Sequence, residues 1–400
     1  MDSALTEGER KYKLFLFGRG YRAMFFHLGA LCRLNQLGLL QELAFISSVS
    51  GGSIIAAMLS VQWDSLVFDR EGVAVDFPGC IERELCAFAS TSRLRDLPIL
   101  GTLLQNLRPV TTNHNYRDLL RSKGLGNRSA KPEFLFTATD LCTGAAWKFS
   151  GNRVTESLEG NVWEHDLPLD TLVAASASPR LSPVVLDRDC LRKTPGQNQV
   201  VSFAPANKVT LGDGSFAHDF GLSSISQRHT LLVSDAGTCC PVEMDRRQHW
   251  QTWRVNSPDF RDHQLDRRRE LEVKALFQGA GFMGAHWDMG GFHDNEQKAA
   301  TDALNCPHGI TKALAKIATD YSGIDNNQQQ NLIDWGFASC DVAIRTCLPE
   351  FRSKMPDASP HGTFYRTPPN APRGGKGLVK IPASESEAST TEESKFRRLP

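Results

Sequence analysis

Short apolar runs alternate with helical periods along most of the chain. KLFLF (13–17) is a continuous apolar run of strand length. It leads through Gly18-Arg19-Gly20 into a stretch where Ala23, Phe26, Ala30, Leu31, Leu34 and Leu37 recur at the spacing of one buried helical face, and Gly38 stands where that helix should stop. AFISSV (44–49) predicts a second strand and GGSIIAAML (51–59) a second helix. Further strands are predicted at FLFTATD (134–140), KVTLG (208–212) and HTLLVSD (229–235). Strands that alternate with helices predict an α/β layer fold with a mostly parallel sheet.

Polar punctuation divides these segments. Residues 187–207, centred on RKTPGQNQ, read as a surface loop, and so does GIDNNQQQN at 323–331. From about residue 355 the composition turns to Pro, Gly, Ser and charge, too poor in apolar residues to pack, and predicts a disordered tail over 351–400. Residues 1–10 form a polar leader without the basic and apolar regions of a signal peptide. One domain is expected over 11–350. Within it, DLPILGTLLQNL (96–107) aligns Leu97, Leu100, Leu104 and Leu107 on one helical face. Core packing explains that face, and an interfacial helix at the mouth of a lipid site is the alternative.

Composition narrows the function classes. A chain of 400 residues with 40% hydrophobic content can bury a full core. Lys+Arg and Asp+Glu are both 45, so there is no electrostatic case for nucleic acid or for a charge-driven membrane anchor. The ten cysteines lack C-x-x-C spacing and read as free thiols of a reducing compartment. No apolar run reaches the roughly 18 residues of a spanning helix. A soluble cytoplasmic protein able to touch a membrane surface peripherally is the expectation.

Two chemistries fit the first glycine turn. Gly18-Arg19-Gly20-Tyr21-Arg22-Ala23 matches G-x-G-x-x-A, whose backbone N–H groups receive a pyrophosphate in dinucleotide-binding proteins. The same turn could instead direct N–H groups at the oxyanion of an ester under attack. A dinucleotide fold needs an acidic residue closing the second strand, but Glu42 precedes that strand, which ends in Ser48-Val49-Ser50-Gly51-Gly52. A serine on a glycine-flanked strand-to-helix turn is the arrangement of a nucleophile elbow, and it makes Ser50 the candidate nucleophile. A plain helix cap at Ser50 is the competing explanation. In LGDGSFAHDFGL (211–222), Asp213 follows a strand and precedes Gly214, placed to accept the hydroxyl proton. Arg22 opens the first helix, where its guanidinium could meet a phosphate or oxyanion. His27 reads as a hydrogen-bonded core residue. His286 and His293 lack the spacing and third ligand of a zinc site.

The ordered series GRGYRAMFFHLGAL, SVSGG and DGS resembles the patatin-like phospholipase family. The resemblance extends to ATDLCTGAAWKFS (138–150), AASASPRLSPVV (174–185), LLVSDAGT (231–238) and WGFASCDVAIR (335–345), and so covers about residues 11–350. It implies a three-layer α/β/α hydrolase in which Ser50 and Asp213 act as a dyad on a phospholipid or lysophospholipid ester. Backbone N–H groups of Gly18, Arg19, Gly20 and Gly51 would hold the oxyanion, Arg22 would bind substrate, and neither metal nor organic cofactor would be needed. Three positions depart from the family pattern. Arg19 replaces the middle glycine of the oxyanion loop, Ser48 the first glycine of G-x-S-x-G, and Ser215 the third residue of the aspartate motif. A positive φ at Arg19 would cost about 1–2 kcal/mol. An inactive scaffold that binds lipid or protein is the alternative implied by these departures, and a dinucleotide-binding protein is the other.

Overall fold

The computed structural model describes residues 12–91, 132–178, 183–193, 207–217, 229–237, 258–289, 313–315, 317, 319, 321 and 323–354, with the pairs 365–366 and 379–380. Strand β1 (Tyr12–Phe17) explains its own apolar run. Leu14 and Leu16 enter a core on one side of the sheet, Phe15 and Phe17 a second core on the other, and all four are fully buried. β1 lies parallel between β2 (Leu43–Ser48) and another strand, Thr230–Asp235. β3 (Glu133–Asp140) joins β2 in the same sense, and Gly284–Asp288 joins the far edge, giving a parallel centre of five strands.

Beyond β3 the sheet continues antiparallel through β4 (Ala146–Ser150), β5 (Arg153–Glu156), β6 (Val162–His165) and β8 (Leu191–Lys193), with β7 (Val184–Asp187) lying off this path. β9 (Lys208–Gly212) pairs with β7 and with the last residues of β3, which brings position 213 beside the parallel centre. The remaining parallel strands, Thr230–Asp235 and Gly284–Asp288, are β10 and β11.

Helices cover both faces, so the chain is a three-layer α/β fold with a parallel centre, as its periodicity predicts. The larger core lies under α1 (Gly20–Gln36), α2 (Gly51–Gln62), α3 (Arg83–Thr91) and α4 (Leu169–Ser176). On the other face, Val273 and Phe277 of α5 (Pro258–Gln278) pack against Phe15, Phe17, Phe45, Leu231 and Val233. α6 (Asn326–Cys347) lies along α1 in the larger layer. The two helices touch backbone to backbone. A β-carbon on Gly29 would sit 1.8 Å from the Ile333 carbonyl oxygen, and one on Gly336 equally close to that of Phe26. Phe26 meets Trp335 edge to face at 5.7 Å. Beyond them Asp341 is held between Arg33 and Arg345, all three buried.

Two predicted loops are corrected. The polar stretch 323–331 contains the start of α6, because Asp325 accepts the Gln328 N–H and Gln328 accepts the Asp325 N–H, a capping box that sets the helix without apolar residues. The stretch 187–207 contains β8, whose pairing with β6 supplies the order its composition does not. Phe351 packs edge-on against Tyr12 at 6.3 Å, so the packed body includes it. The apolar face at 96–107 and the leader lie outside the described residues. So does most of 355–400, where Tyr365–Arg366 pairs with Val379–Lys380. Among the described residues no helix is long and apolar enough to cross a membrane.

Candidate active site

Ser50 occupies the turn between β2 and α2 and is the single non-glycine residue with a positive φ among those described (φ 51°, ψ −123°). Such a conformation costs on the order of 1–3 kcal/mol and persists only where its surroundings over-determine it. Here they do. The Ser50 N–H donates to the Ser176 carbonyl (3.1 Å) and the Val49 N–H to that of Leu16 (3.2 Å). β-carbons on Gly51 and Gly52 would lie 2.2 and 2.6 Å from the carbonyl oxygens of Gly20 and Leu16, so the turn admits only glycine there.

A ladder of serines fixes the turn from beneath. Ser48 and Ser176 donate to the carbonyls of Leu135 (3.0 Å) and Thr137 (2.6 Å), and Ser53 Oγ stands between their hydroxyls at 3.1 and 2.7 Å, with one proton to give to one of them at a time. Ser48 therefore serves the elbow through a hydroxyl that a glycine would lack.

The Ser50 side chain separates a nucleophile from a helix cap. Residue 50 stands at the N-cap of α2, yet its hydroxyl makes no capping bond and donates instead to Asp213 Oδ2 at 2.5 Å. Asp213 is delivered by the end of β9. Its carbonyl accepts from Thr139 Oγ1 (2.8 Å), its Oδ1 accepts the Ser215 N–H (2.9 Å), and a β-carbon on Gly214 would lie 1.9 Å from the Thr137 carbonyl oxygen. Burial pushes the Asp213 carboxyl above the ordinary aspartate value, against the hydrogen bonds from Ser215 and Ser50 and the charge of Arg19. A raised carboxylate bonded directly to a buried hydroxyl can act as its general base.

Among the described residues no imidazole lies between the two groups, which meet directly. His27 is fully buried with Nδ1 2.8 Å from Ser234 Oγ, and desolvation pushes its pKa down to about 3, so it is a neutral core residue. His286 lies on the edge strand β11 with Nε2 4.0 Å from Asp288. His293 lies outside the described residues.

The first glycine turn stands beside this pair. Its positive φ values fall on Gly18 (137°) and Gly20 (69°), whereas Arg19 is extended at φ −112°, so the expected strain at Arg19 is absent. The N–H of Gly20, the first residue of α1, has no acceptor among the described residues and lies at the positive end of the helix. Gly51 departs from expectation. Its N–H donates to the Gly18 carbonyl at 3.1 Å, because the Gly18–Arg19 peptide turns its oxygen toward the elbow.

Both arginines of the turn are engaged. Arg19 reaches Asp266 on α5 at 3.3 Å, and Asp266 binds Arg269 (2.9 Å), which forks onto Asp235 at the end of β10 (2.7 and 2.9 Å). All four side chains are buried. Arg22 is corrected from a substrate-binding residue to a clamp. Its guanidinium donates to the carbonyls of Ala315 (2.9 Å), Ile317 (3.2 Å) and Ala236 (3.1 Å).

The segment so clamped carries a residue that the motifs do not announce. Tyr321 is buried with its hydroxyl 3.4 Å from Ser50 Oγ, and its ring stands edge-on to Tyr21 at 5.3 Å. No periodicity marks it, and only a contact across 271 residues of sequence reveals it.

No family model matches the chain, and no curated protein matches it in sequence. Among solved structures, the chain is similar to human GIVD cytosolic phospholipase A2 in complex with methyl gamma-linolenyl fluorophosphonate, at TM-score 0.49 and 14% identity, covering 88% of this chain and 60% of that one. Human GIVD cytosolic phospholipase A2 alone gives TM-score 0.44 and 11% identity over 88% of this chain and 64% of that one. VipD from Legionella pneumophila gives 0.32 and 12% over 84% and 67%. The chain thus spans about 60% of the length of the first of these phospholipase chains.

Proposed function

We propose that the chain is a serine acyl hydrolase that cleaves carboxylic esters of phospholipids or lysophospholipids at a membrane surface. The observation that carries this reading is the 2.5 Å hydrogen bond from Ser50 Oγ to Asp213, made from a turn whose backbone is held in a conformation rare outside glycine. A serine used only as a helix cap has no need of either feature. In the reaction Ser50 Oγ attacks the ester carbonyl as Asp213 accepts its proton, and the protonated carboxyl then gives that proton to the departing alkoxide. Water, deprotonated by the same carboxylate, then bonds the acyl carbon, the bond from that carbon to Ser50 Oγ breaks, and Asp213 returns the proton to Oγ as the fatty acid leaves. The Gly20 N–H at the start of α1 supports the oxyanion. The lipid class of the substrate rests on the three-motif resemblance to patatin-like phospholipases.

Labelling the intact protein with a long-chain alkyl fluorophosphonate, with peptide mapping and an assay on detergent-dispersed lysophospholipid, tests the reading. Labelling at Ser50 and loss of hydrolysis in Ser50→Ala are expected. An unlabelled protein, or a Ser50→Ala variant hydrolysing at the wild-type rate, overturns it. Saturable binding of NAD or NADP in place of labelling would favour the dinucleotide reading of the Gly18–Gly20 turn.

A further inference from the structure

We infer that Arg19 is a positioning residue of the proposed acyl hydrolysis, tying the Gly18–Gly20 turn through Asp266 to α5 and so fixing that turn against the Ser50 elbow. The assignment rests on the acyl-hydrolase reading and gives a task to the side chain that stands where the patatin-like pattern has a glycine. Arg19 is buried, and its guanidinium leaves the turn for the helical layer opposite α1 and α2. There Asp266 bridges two cations, its Oδ2 accepting from Arg19 at 3.3 Å and its Oδ1 from Arg269 at 2.9 Å. Arg269 lies over the Phe17 ring at 5.7 Å and grips both oxygens of Asp235 (2.7 and 2.9 Å).

The tether ends on backbone as well as on charge. Asp235 Oδ1 also accepts the Gly237 N–H (2.8 Å), and the Ala236 N–H between them donates to the Phe17 carbonyl (2.6 Å), one residue before the turn. A β-carbon on Gly18 would lie 2.8 Å from that of Ala236. The turn is thus braced from α5 at Arg19 directly and at Gly18 through Asp235 and Ala236. On its other side it meets the elbow, where the Gly18 carbonyl accepts the Gly51 N–H (3.1 Å) and a β-carbon on Gly51 would lie 2.2 Å from the Gly20 carbonyl oxygen. Backbones packed this closely pass a displacement on, and a misplacement of about 1 Å at a reacting centre can cost on the order of 10²-fold in rate.

Arg19 acts on the proposed base as well. Burial raises the Asp213 carboxyl, and against burial stand the hydrogen bonds from Ser215 of its own turn and Ser50 of the elbow, and the positive charge of Arg19. Tyr321 faces the same pair from beyond Ser50, at 3.4 Å from its Oγ. The two cations and two carboxylates of the tether balance one another. Loss of the Arg19 charge leaves the tether with an extra negative charge and removes a positive one, and both changes push Asp213 further up. Loss of the Asp266 charge leaves Arg19 less opposed and acts in the opposite sense.

The test measures kcat and kcat/KM against pH on a detergent-dispersed lysophospholipid for wild type, Arg19→Met, Asp266→Asn, their double variant, Arg19→Lys and Ser50→Ala. Arg19→Met should lower kcat by about 10- to 100-fold with KM nearly unchanged, and should move the acid limb of kcat/KM up by about half a pH unit or more. Asp266→Asn should lower kcat to a similar degree and move the limb down. Because both cut one link, the double variant should lose no more of kcat than the worse single, with its limb between theirs. Arg19→Lys keeps the charge, so it should hold the wild-type limb and recover most of the rate. Losses that multiply in the double variant, or an unmoved acid limb in Arg19→Met, overturn the assignment. Should Arg19→Met fail to fold for want of a partner to Asp266, the double variant leaves no such charge behind, and wild-type kcat in it overturns the tether. Full turnover in Ser50→Ala would instead remove the hydrolase reading, whereas an inactive Ser50→Ala beside wild-type kcat in Arg19→Met removes the tether alone.

Discussion

To accept a proton from Ser50, as proposed, the carboxyl of Asp213 must be ionised, yet it is buried where the charged form is disfavoured. Because its folded pKa is raised, the folded chain holds this proton more tightly than the unfolded chain does. Its contribution to stability is complete below the ordinary aspartate value and is lost as pH rises through the raised one. Asp213→Asn carries no charge to desolvate. Its melting temperature should therefore gain on wild type as pH is raised from the aspartate range, then hold a constant lead, while hydrolysis falls by orders of magnitude. A lead that does not change with pH would show that burial of the charge carries no such cost. The acid limb of wild-type kcat/KM should correspondingly lie above the ordinary carboxylate range. Ser50 and Asp213 were both legible in the sequence, because a strand end and adjacent glycines are local signals. Tyr321 and the partners of Arg19 were not, since each is defined by a contact spanning more than 200 residues. Gly51 was misjudged for a related reason, as a sequence shows that an amide exists but not which carbonyl it already meets.

Between elements, α1 and α6 make the tightest approach among the described helices. Gly29 and Gly336 let the two backbones meet, and no rotamer change can make room for a methyl group aimed at a carbonyl 1.8 Å away. Gly336→Ala should lower stability by about 1–3 kcal/mol through overpacking, read as a lower denaturant midpoint at unchanged slope. A neutral result would mean that the helices slide apart at little cost. The helical periods of α1 and α2 were readable because apolar residues repeat at one-face spacing. The start of α6 was not, because polar residues and a capping box set it, and β8 was hidden because only its pairing with β6 orders it.

At the scale of the molecule, the parallel centre sets β1 beside β2, so the Gly18–Gly20 turn and Ser50 leave the same, C-terminal end of the strands, and β9, antiparallel to β3, ends beside them with Asp213. That convergence follows from topology more than from any one residue, which is why the alternation of strands and helices sufficed to expect it while the antiparallel extension went unread. The same topology binds α1 to segments about 300 residues later in the chain. Arg33 on α1 and Asp341 on α6 are 308 residues apart in sequence, and Arg22 reaches Ala315 across 293. At a synthesis rate of about 5–20 residues per second, α1 waits on the order of 15–60 s for its partner. Throughout that time the side of α1 that α6 will cover, Phe26 and Gly29 included, faces water or whatever shields it. Ribosome-stalled chains ending after α5 should remain open to protease within residues 12–62, and chains stalled well beyond Cys347 should become resistant as a unit. If so, folding of the described body waits on the arrival of α6, and a cell that makes the protein must keep α1 out of trouble until then.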